Sequence, residues 1–160
     1  MHSRSPAGGA APDDRADQDL VPPYRRELLE RSQTREILLM RWRHGALSAA
    51  HDHGEAAGVI HVVAGGVQER TLVPTADGFI VTATRTAMAP AILAVERGVI
   101  HDMRAIGEAV TLHVYDPPVA AMRVYDPERL AVLTVNDDAG AWLPVGGGQV
   151  MNLEAWPVRP

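Results

Sequence analysis

The chain has 160 residues, a formal net charge of −5 and no cysteine. The missing cysteine excludes disulfides, thiolate metal ligands and a cysteine nucleophile, and the scattered basic residues argue against a nucleic-acid-binding surface. No apolar run is long enough to span a membrane and the N-terminus lacks the order of a signal peptide, so we expect a soluble cytoplasmic protein of one domain.

Residues 1–23 are rich in Ala, Gly, Pro and Asp without apolar periodicity, which indicates an irregular arm with at most a short helical turn. We then predict strands over residues 36–43, 58–63, 67–73, 79–86, 91–96, 110–115, 122–125 and 130–135, with a hairpin turn at Gly65-Gly66. This all-β pattern is typical of a sandwich or small β-barrel, here spanning residues 24–140. Residues 141–160 are predicted to form a loosely attached coil tail.

Two histidines stand two positions apart in His51-Asp52-His53. Alternate side chains of a strand point to the same face, so both imidazoles can reach one point. A third histidine, in Gly98-x-x-His101, can join them from a distant strand. Because neutral imidazole binds zinc, copper, iron and nickel, we predict a metal site formed by His51, His53 and His101.

The other candidate ligands have simpler explanations. Glu55 is the rival third ligand, because two histidines and a carboxylate form a common iron site. Its place at the bend after the histidines favours a solvated loop carboxylate. His44 is expected at the surface or in packing, His61 on the outward face of its strand, and His2 in the arm.

The histidine segment has the spacing of the first cupin motif, and the region of His101 resembles the core of the second. The matching positions are Gly45, His51, His53, Gly58 and Gly65 in the first motif, and Gly98 and His101 in the second. Gly58 replaces the usual glutamate, and the second motif is degenerate at Glu96 and Ala105. The resemblance implies a cupin, a small jelly-roll-like β-barrel with a metal held between its two motifs.

Among the cupins, the chain resembles the thiol dioxygenases of the cysteine dioxygenase family from residue 24 to about 126. The matching pieces are Tyr24-Arg25-Arg26-Glu27-Leu28, Trp42, the three histidines, Gly65 and Thr111-Leu112-His113-Val114-Tyr115-Asp116-Pro117-Pro118. The last block is the most specific, since similar enzymes carry Ser-x-His-x-Tyr before a Pro-Pro pair. Thr111 supplies the hydroxyl in place of that serine.

Thr111, His113 and Tyr115 alternate along a predicted strand, so their side chains share one face. We expect this strand to lie beside that of His101 and to present a hydroxyl–imidazole–phenol chain that holds Tyr115 and tunes its acidity. The resemblance implies that His113 and Tyr115 are catalytic. The alternative is a satisfied core histidine followed by a strand-end aromatic.

The family's Tyr-x-Arg pattern selects Tyr24 and Arg26 as substrate-binding residues. The resemblance implies that the two-pronged guanidinium of Arg26 holds the substrate carboxylate, with Arg25 as the competitor for this role. Relatives with a Cys–Tyr thioether carry the cysteine where this chain has Gly58. That crosslink cannot form here, so Tyr115 is expected to be an unmodified tyrosine.

The resemblance therefore implies an Fe(II)-dependent enzyme that oxidises L-cysteine with dioxygen to cysteine sulfinic acid. Its expected partners are the thiol and O2 alone, and its expected state is a monomer or small homo-oligomer. One alternative is a 3-mercaptopropionate dioxygenase, although such enzymes often carry glutamine in place of Arg26. Another is a metal-binding cupin without oxygenase activity. A zinc or manganese isomerase or hydrolase usually retains the glutamate that Gly58 replaces.

Overall fold

The computed structural model describes residues 21–157, so the predictions for residues 1–20, including most of the arm and His2, and for residues 158–160 of the tail lie outside the described residues. The elements, in chain order, are β1 Tyr24–Arg31, β2 Glu36–Trp42, β3 His51–Asp52, β4 Ala57–Thr75, β5 Gly78–Met88, β6 Ile92–Val95, β7 Ile100–Asp116, β8 Met122–Asp126, β9 Ala131–Val135, a 3-10 turn Gly147–Gln149, and β10 Val150–Ala155.

The strands form one antiparallel sheet with the order β1-β2-β7-β3-β8-β9-β10, and β4 pairs with β5, β6 and β7. No α-helix occurs between residues 21 and 157, which confirms the all-β prediction for that part of the chain. Over the same residues, no helix has the length and apolar character needed to cross a membrane. The sheet curls into a half-barrel, whose largest core cluster includes Leu38, Met40, Ile60, Val62, Val67 and Met103.

Strand β7 carries both the predicted metal ligand His101 and the predicted face of Thr111, His113 and Tyr115. It runs beside β4 from the Ala57–Asp116 pair to the Leu72–Ile100 pair. Its buried side chains include His101 near its start and Thr111, His113 and Tyr115 near its end. The expectation that these three residues lie on a strand beside that of His101 is therefore wrong. One long strand carries all four, because the predicted 110–115 segment extends back through Gly107 to Ile100, with an irregularity in its pairing to β4 between Ile106 and Val110.

The hairpin predicted at Gly65-Gly66 is also wrong. The chain continues there as β4, with irregular pairing between Val62 and Gly66. Gly65 has φ of +69°, and a Cβ at that position would collide with the backbone carbonyl of Glu108. The glycine pair therefore allows a bulge and a close approach to β7, which bends the strand, instead of a turn. The hairpin lies between Thr75 and Gly78, where β4 meets β5.

The segment after residue 140 is not the loose coil expected of it. Strand β10 pairs with β9 from the Val150–Val135 pair to the Ala155–Ala131 pair. Trp156 then buries its ring against Phe79 and Tyr125, and its indole donates to the Thr75 carbonyl at 2.6 Å. The free edge of β9 offers the backbone partners that make this tail part of the sheet.

Candidate metal centre and adjoining cavity

Three buried histidines meet where β3 crosses the start of β7. His51 on β3 is the register partner of His101 on β7, and their ring centroids lie 4.5 Å apart. His53 follows β3, with its ring centroid 4.9 Å from that of His51 and 5.1 Å from that of His101. One ring nitrogen from each histidine lies within 4.8 Å of the others. The predicted three-histidine group is thus assembled in the structure and could hold a metal ion.

Hydrogen bonds orient two of these rings. His51 Nδ1 donates to the Ala49 carbonyl at 2.9 Å, and His101 Nδ1 donates to Glu69 Oε1 at 2.8 Å. In both rings Nε2 is therefore left as a lone-pair donor. Within residues 21–157, His101 Nε2 and His53 Nδ1 are buried side-chain atoms without a hydrogen-bond partner. Buried polar atoms are normally paired, so these nitrogens fit coordination of a metal ion.

Burial keeps the histidines in the form that binds metals. It is the main reason why the pKa values of His51 and His53 lie well below the ordinary value, and the neighbouring rings lower them further. Both rings are neutral at physiological pH as a result. Neutral imidazole is the metal-binding form, so no proton has to be displaced from these two rings when an ion binds.

Glu69 on β4 supports His101 from behind, a role that the sequence pattern did not predict. Its second oxygen accepts a hydrogen bond from Arg85 Nε at 2.8 Å, and Arg85 also donates to the Ala94 carbonyl at 3.0 Å. Burial alone would raise the pKa of Glu69, but the hydrogen bonds from His101 and Arg85 hold it below its ordinary value. One sequence feature could have identified Glu69. It lies two residues after the buried Val67, which places it on the inward face of the same strand.

Asp52 lies between His51 and His53 and fixes the turn that follows them at Gly54, a role that was also not predicted from the sequence. Its side chain is fully buried and accepts hydrogen bonds from the Gly54 amide at 2.9 Å, Arg123 Nε at 2.9 Å and the Tyr125 hydroxyl at 2.7 Å. Gly54 has φ of +58°, a conformation that favours glycine. These contacts anchor the loop to β8 and so set the direction in which His51 and His53 point.

A chain of buried hydrogen bonds connects the end of β7 to the histidine group. Trp42 Nε1 donates to Thr111 Oγ1 at 2.8 Å, and Thr111 Oγ1 lies 2.8 Å from His113 Nε2. His113 Nδ1 then lies 2.9 Å from the Tyr115 hydroxyl. That hydroxyl lies 3.1 Å from His53 Nε2. The predicted face of β7 is thus joined directly to the group that could bind the metal.

The two titratable β7 residues in this series of hydrogen bonds, His113 and Tyr115, are both neutral. Burial, aided by the nearby His101, lowers the pKa of His113 to about 3. Burial is also the main cause that raises the pKa of Tyr115 above its ordinary value. The phenol therefore keeps its proton and can donate it in a hydrogen bond to a neighbouring acceptor.

A cavity adjoins His51 and His53, and Tyr24, Arg26, His113 and Tyr115 line it as well. Arg25 is exposed and does not line this cavity; it borders a surface groove that Tyr24 and Arg26 also line. Tyr24 is buried, its ring packs 4.5 Å from that of Trp42, and its hydroxyl accepts the Ala141 amide at 2.8 Å. Burial raises the pKa of Tyr24 to about 12.

The remaining candidate ligands do not belong to the histidine group. Glu55 and His44 are exposed, and His61 is half-buried on the strand face opposite that of Ile60. Gly58 is the register partner of Tyr115, and a Cβ at this position would collide with the Val114 carbonyl.

Solved structures with a similar fold include one described as an RmlC-like cupin and one described as having a double-stranded β-helix domain. An uncharacterised conserved protein with a double-stranded β-helix domain from Klebsiella pneumoniae is 14% identical, with 76% of this chain and 98% of that chain covered and a TM-score of 0.54. An RmlC-like cupin from Shewanella frigidimarina is 17% identical, with 62% and 80% covered and a TM-score of 0.51. A recombinant oxalate oxidase in complex with glycolate is 16% identical, with 62% and 54% covered and a TM-score of 0.52.

The fold and the three-histidine group define the chain as a cupin with a candidate metal centre. Residues 21–128 match the family model of cysteine dioxygenase type I, which places most of the sheet and all three histidines inside the matched region. The chain belongs to this family. No curated protein sequence matches it significantly.

Proposed function

We propose that the protein is an Fe(II)-dependent thiol dioxygenase that oxidises L-cysteine with dioxygen to cysteine sulfinic acid. The observation that carries the proposal is the buried contact between the Tyr115 hydroxyl and His53, since it joins a proton-donating chain to the candidate metal ligands. Family membership supports the reaction class. In the described part of the chain, the group able to bind a metal contains histidines only, and no carboxylate belongs to it.

His51, His53 and His101 would hold Fe(II) through their neutral rings. When bound there, the ion supplies a site at which a thiol loses its proton and dioxygen reacts with its sulfur. Three neutral ligands leave the ion's charge uncompensated, which favours an anionic partner such as a thiolate. The overall reaction adds both oxygen atoms of O2 to one thiol, so it needs no further reductant.

The chain's own residues bind and orient the substrate. Arg26 lines the cavity and would hold the substrate carboxylate with parallel N–H groups. Tyr115, held by His113, would donate its hydroxyl proton in a hydrogen bond toward the reacting end of the substrate. Tyr24 and Trp42 pack against each other and form an apolar wall that limits the water beside the substrate. Proximity and orientation would provide most of the rate enhancement.

The test is oxygen consumption by protein reconstituted anaerobically with Fe(II) and then given L-cysteine and air. We expect one cysteine sulfinic acid for each O2 consumed, and none from protein loaded with Zn(II). Disulfide as the main product, or equal activity with zinc and iron, would contradict the proposal.

A further inference from the structure

The carboxylate behind His101 is connected to the protein surface by an arginine. Glu69 on β4 and Arg85 on β5 are register partners, and Arg85 donates to Glu69 Oε2 from Nε at 2.8 Å and also from Nη2. Arg85 Nη2 donates in addition to the Ala94 carbonyl at 3.0 Å, which holds the guanidinium between β5 and β6. The imidazole, the carboxylate and the guanidinium therefore form one series of hydrogen bonds that runs outward from the histidine group.

Burial decreases along this series. The side chains of His101 and Glu69 are 2% and 4% exposed, whereas that of Arg85 is 46% exposed. Between residues 21 and 157, Arg85 is the only arginine that forms an ion pair with Glu69. A buried carboxylate that loses its cationic partner keeps an uncompensated charge in a poorly solvated place. Arg85 therefore neutralises a negative charge that lies directly behind a candidate metal ligand.

The charge on Glu69 would reach an iron ion through the imidazole of His101. A carboxylate that accepts the Nδ1 proton of a ligating histidine makes the other ring nitrogen a stronger electron donor. Stronger donation and nearby negative charge favour Fe(III) over Fe(II), because charge and hydrogen bonds around an iron centre set its potential. A cation on the far side of the carboxylate reduces that donation and so favours the ferrous ion.

We propose that Arg85 is a positioning residue that keeps the iron of this centre ferrous, because it neutralises Glu69 and so limits the electron donation from His101. The proposal rests on the proposed function for its choice of iron as the metal. It assigns opposite effects to two residues in direct contact: Glu69 strengthens the donation from His101, whereas Arg85 weakens it. Arg85 does not line the cavity beside His51 and His53, so its effect is separate from substrate binding.

The test is the midpoint potential of the Fe(III)/Fe(II) couple, measured by spectroscopic titration with redox mediators in protein without a thiol. In Arg85→Gln we expect the preference for Fe(III) over Fe(II) to increase about tenfold, which corresponds to a potential about 59 mV lower. Glu69→Gln keeps an acceptor for the His101 ring but removes the charge, so its potential should rise. Arg85→Lys keeps the positive charge and should remain near the wild-type potential.

The matched control is the Arg70–Asp102 pair, which joins the same two strands as Glu69 and His101. Asp102 follows His101 in the chain, but neighbouring residues of a strand point to opposite faces. Asp102 accepts from Arg70 Nε at 2.9 Å and so gives Arg70 a carboxylate partner of the same kind. Arg70→Gln should leave the potential at the wild-type value.

An unchanged or higher potential in Arg85→Gln would overturn the proposal, even if Zn(II) affinity fell, because Arg85 would then only support the fold. Equal shifts in Arg85→Gln and Arg70→Gln would also overturn it, since surface charge in general would explain them. If Arg85→Gln does not fold, Glu69→Gln decides, and a potential at or below the wild-type value would contradict the proposal.

The same samples separate this proposal from the proposed function. Variants that show the expected shifts in potential, in protein that does not oxidise L-cysteine, would refute the dioxygenase and leave the role of Arg85 intact. Protein that oxidises L-cysteine without a lower potential in Arg85→Gln would refute only the role of Arg85. Protein that binds no iron would refute both.

Discussion

The Tyr115 hydroxyl lies 3.1 Å from Nε2 of His53, so the phenol at the end of β7 directly contacts a candidate metal ligand. The contact requires β7 to bend, since His101 at the start of the strand belongs to the same histidine group, and the bend coincides with Gly107, whose φ is +71°. Both ends of β7 therefore contribute residues to the same site. Substitutions near His101 should change metal affinity, whereas substitutions near Tyr115 should change turnover.

Tyr115→Phe should lower kcat about 100-fold, because positioned proton donors typically contribute at least that factor. The phenyl ring keeps the packing against His53, so the iron content should remain at the wild-type level. Steady-state oxygen consumption at saturating L-cysteine, together with metal analysis of the same sample, provides the measurement. Unchanged kcat at full iron loading would remove Tyr115 from the mechanism.

Glu69→Ala should weaken metal binding about 10-fold to 100-fold, the usual effect of removing the carboxylate that orients a histidine ligand. Without Glu69 the His101 ring loses its Nδ1–H acceptor and turns more freely. Competition with a chromophoric chelator measures the affinity. Glu108→Gln changes an exposed carboxylate on the same β7 strand and serves as the control. Equal metal affinity in Glu69→Ala and wild type would show that the ring is held by packing alone.

Gly58→Cys should not produce a thioether to Tyr115 and should instead destabilise the fold. A side chain at this position meets the Val114 carbonyl, and overpacking of this kind typically costs about 1–3 kcal/mol. Thermal unfolding measures the loss of stability, and intact mass reports whether two hydrogens are lost. Gly147→Ala is the control, since a Cβ there meets no atom within 4 Å. A crosslinked Gly58→Cys protein with wild-type stability would contradict the predicted clash.

Trp156→Ala should lower the free energy of unfolding by about 3–5 kcal/mol, as expected for removal of a large buried aromatic side chain. The indole packs 4.9 Å from the Phe79 ring and 6.0 Å from the Tyr125 ring. Urea unfolding followed by circular dichroism gives the value. A loss below about 0.5 kcal/mol, which is typical of substitutions at the surface, would mean that the tail is dispensable for the fold.

Local pattern was enough to predict which histidines and which face of β7 could meet at the site, whereas Tyr24 and Arg26 came from the family resemblance. Side chains at alternate positions of an extended chain share one face, whichever strands pair with it. This applies to His51 and His53 and to Thr111, His113 and Tyr115. Both patterns are therefore readable without knowing which strands pair.

The supporting residues could not be predicted in this way. Glu69 and Asp52 act through partners 32 and 73 positions away in the chain, respectively, so their roles depend on a strand register that composition does not specify. The error at Gly65 has a similar cause. A glycine pair is typical both of a tight turn and of a bulge, and only the approach of β7 decides between them.

The most direct test of the central claim is oxidation of L-cysteine by Fe(II)-loaded protein under 18O-labelled dioxygen, followed by mass spectrometry of the product. We predict cysteine sulfinic acid in which both added oxygen atoms carry the label, at a yield that falls with Tyr115→Phe. Cysteine sulfinic acid with oxygen from water, or no sulfinic acid from protein carrying a full complement of iron, would contradict the assignment of this three-histidine centre as a thiol dioxygenase.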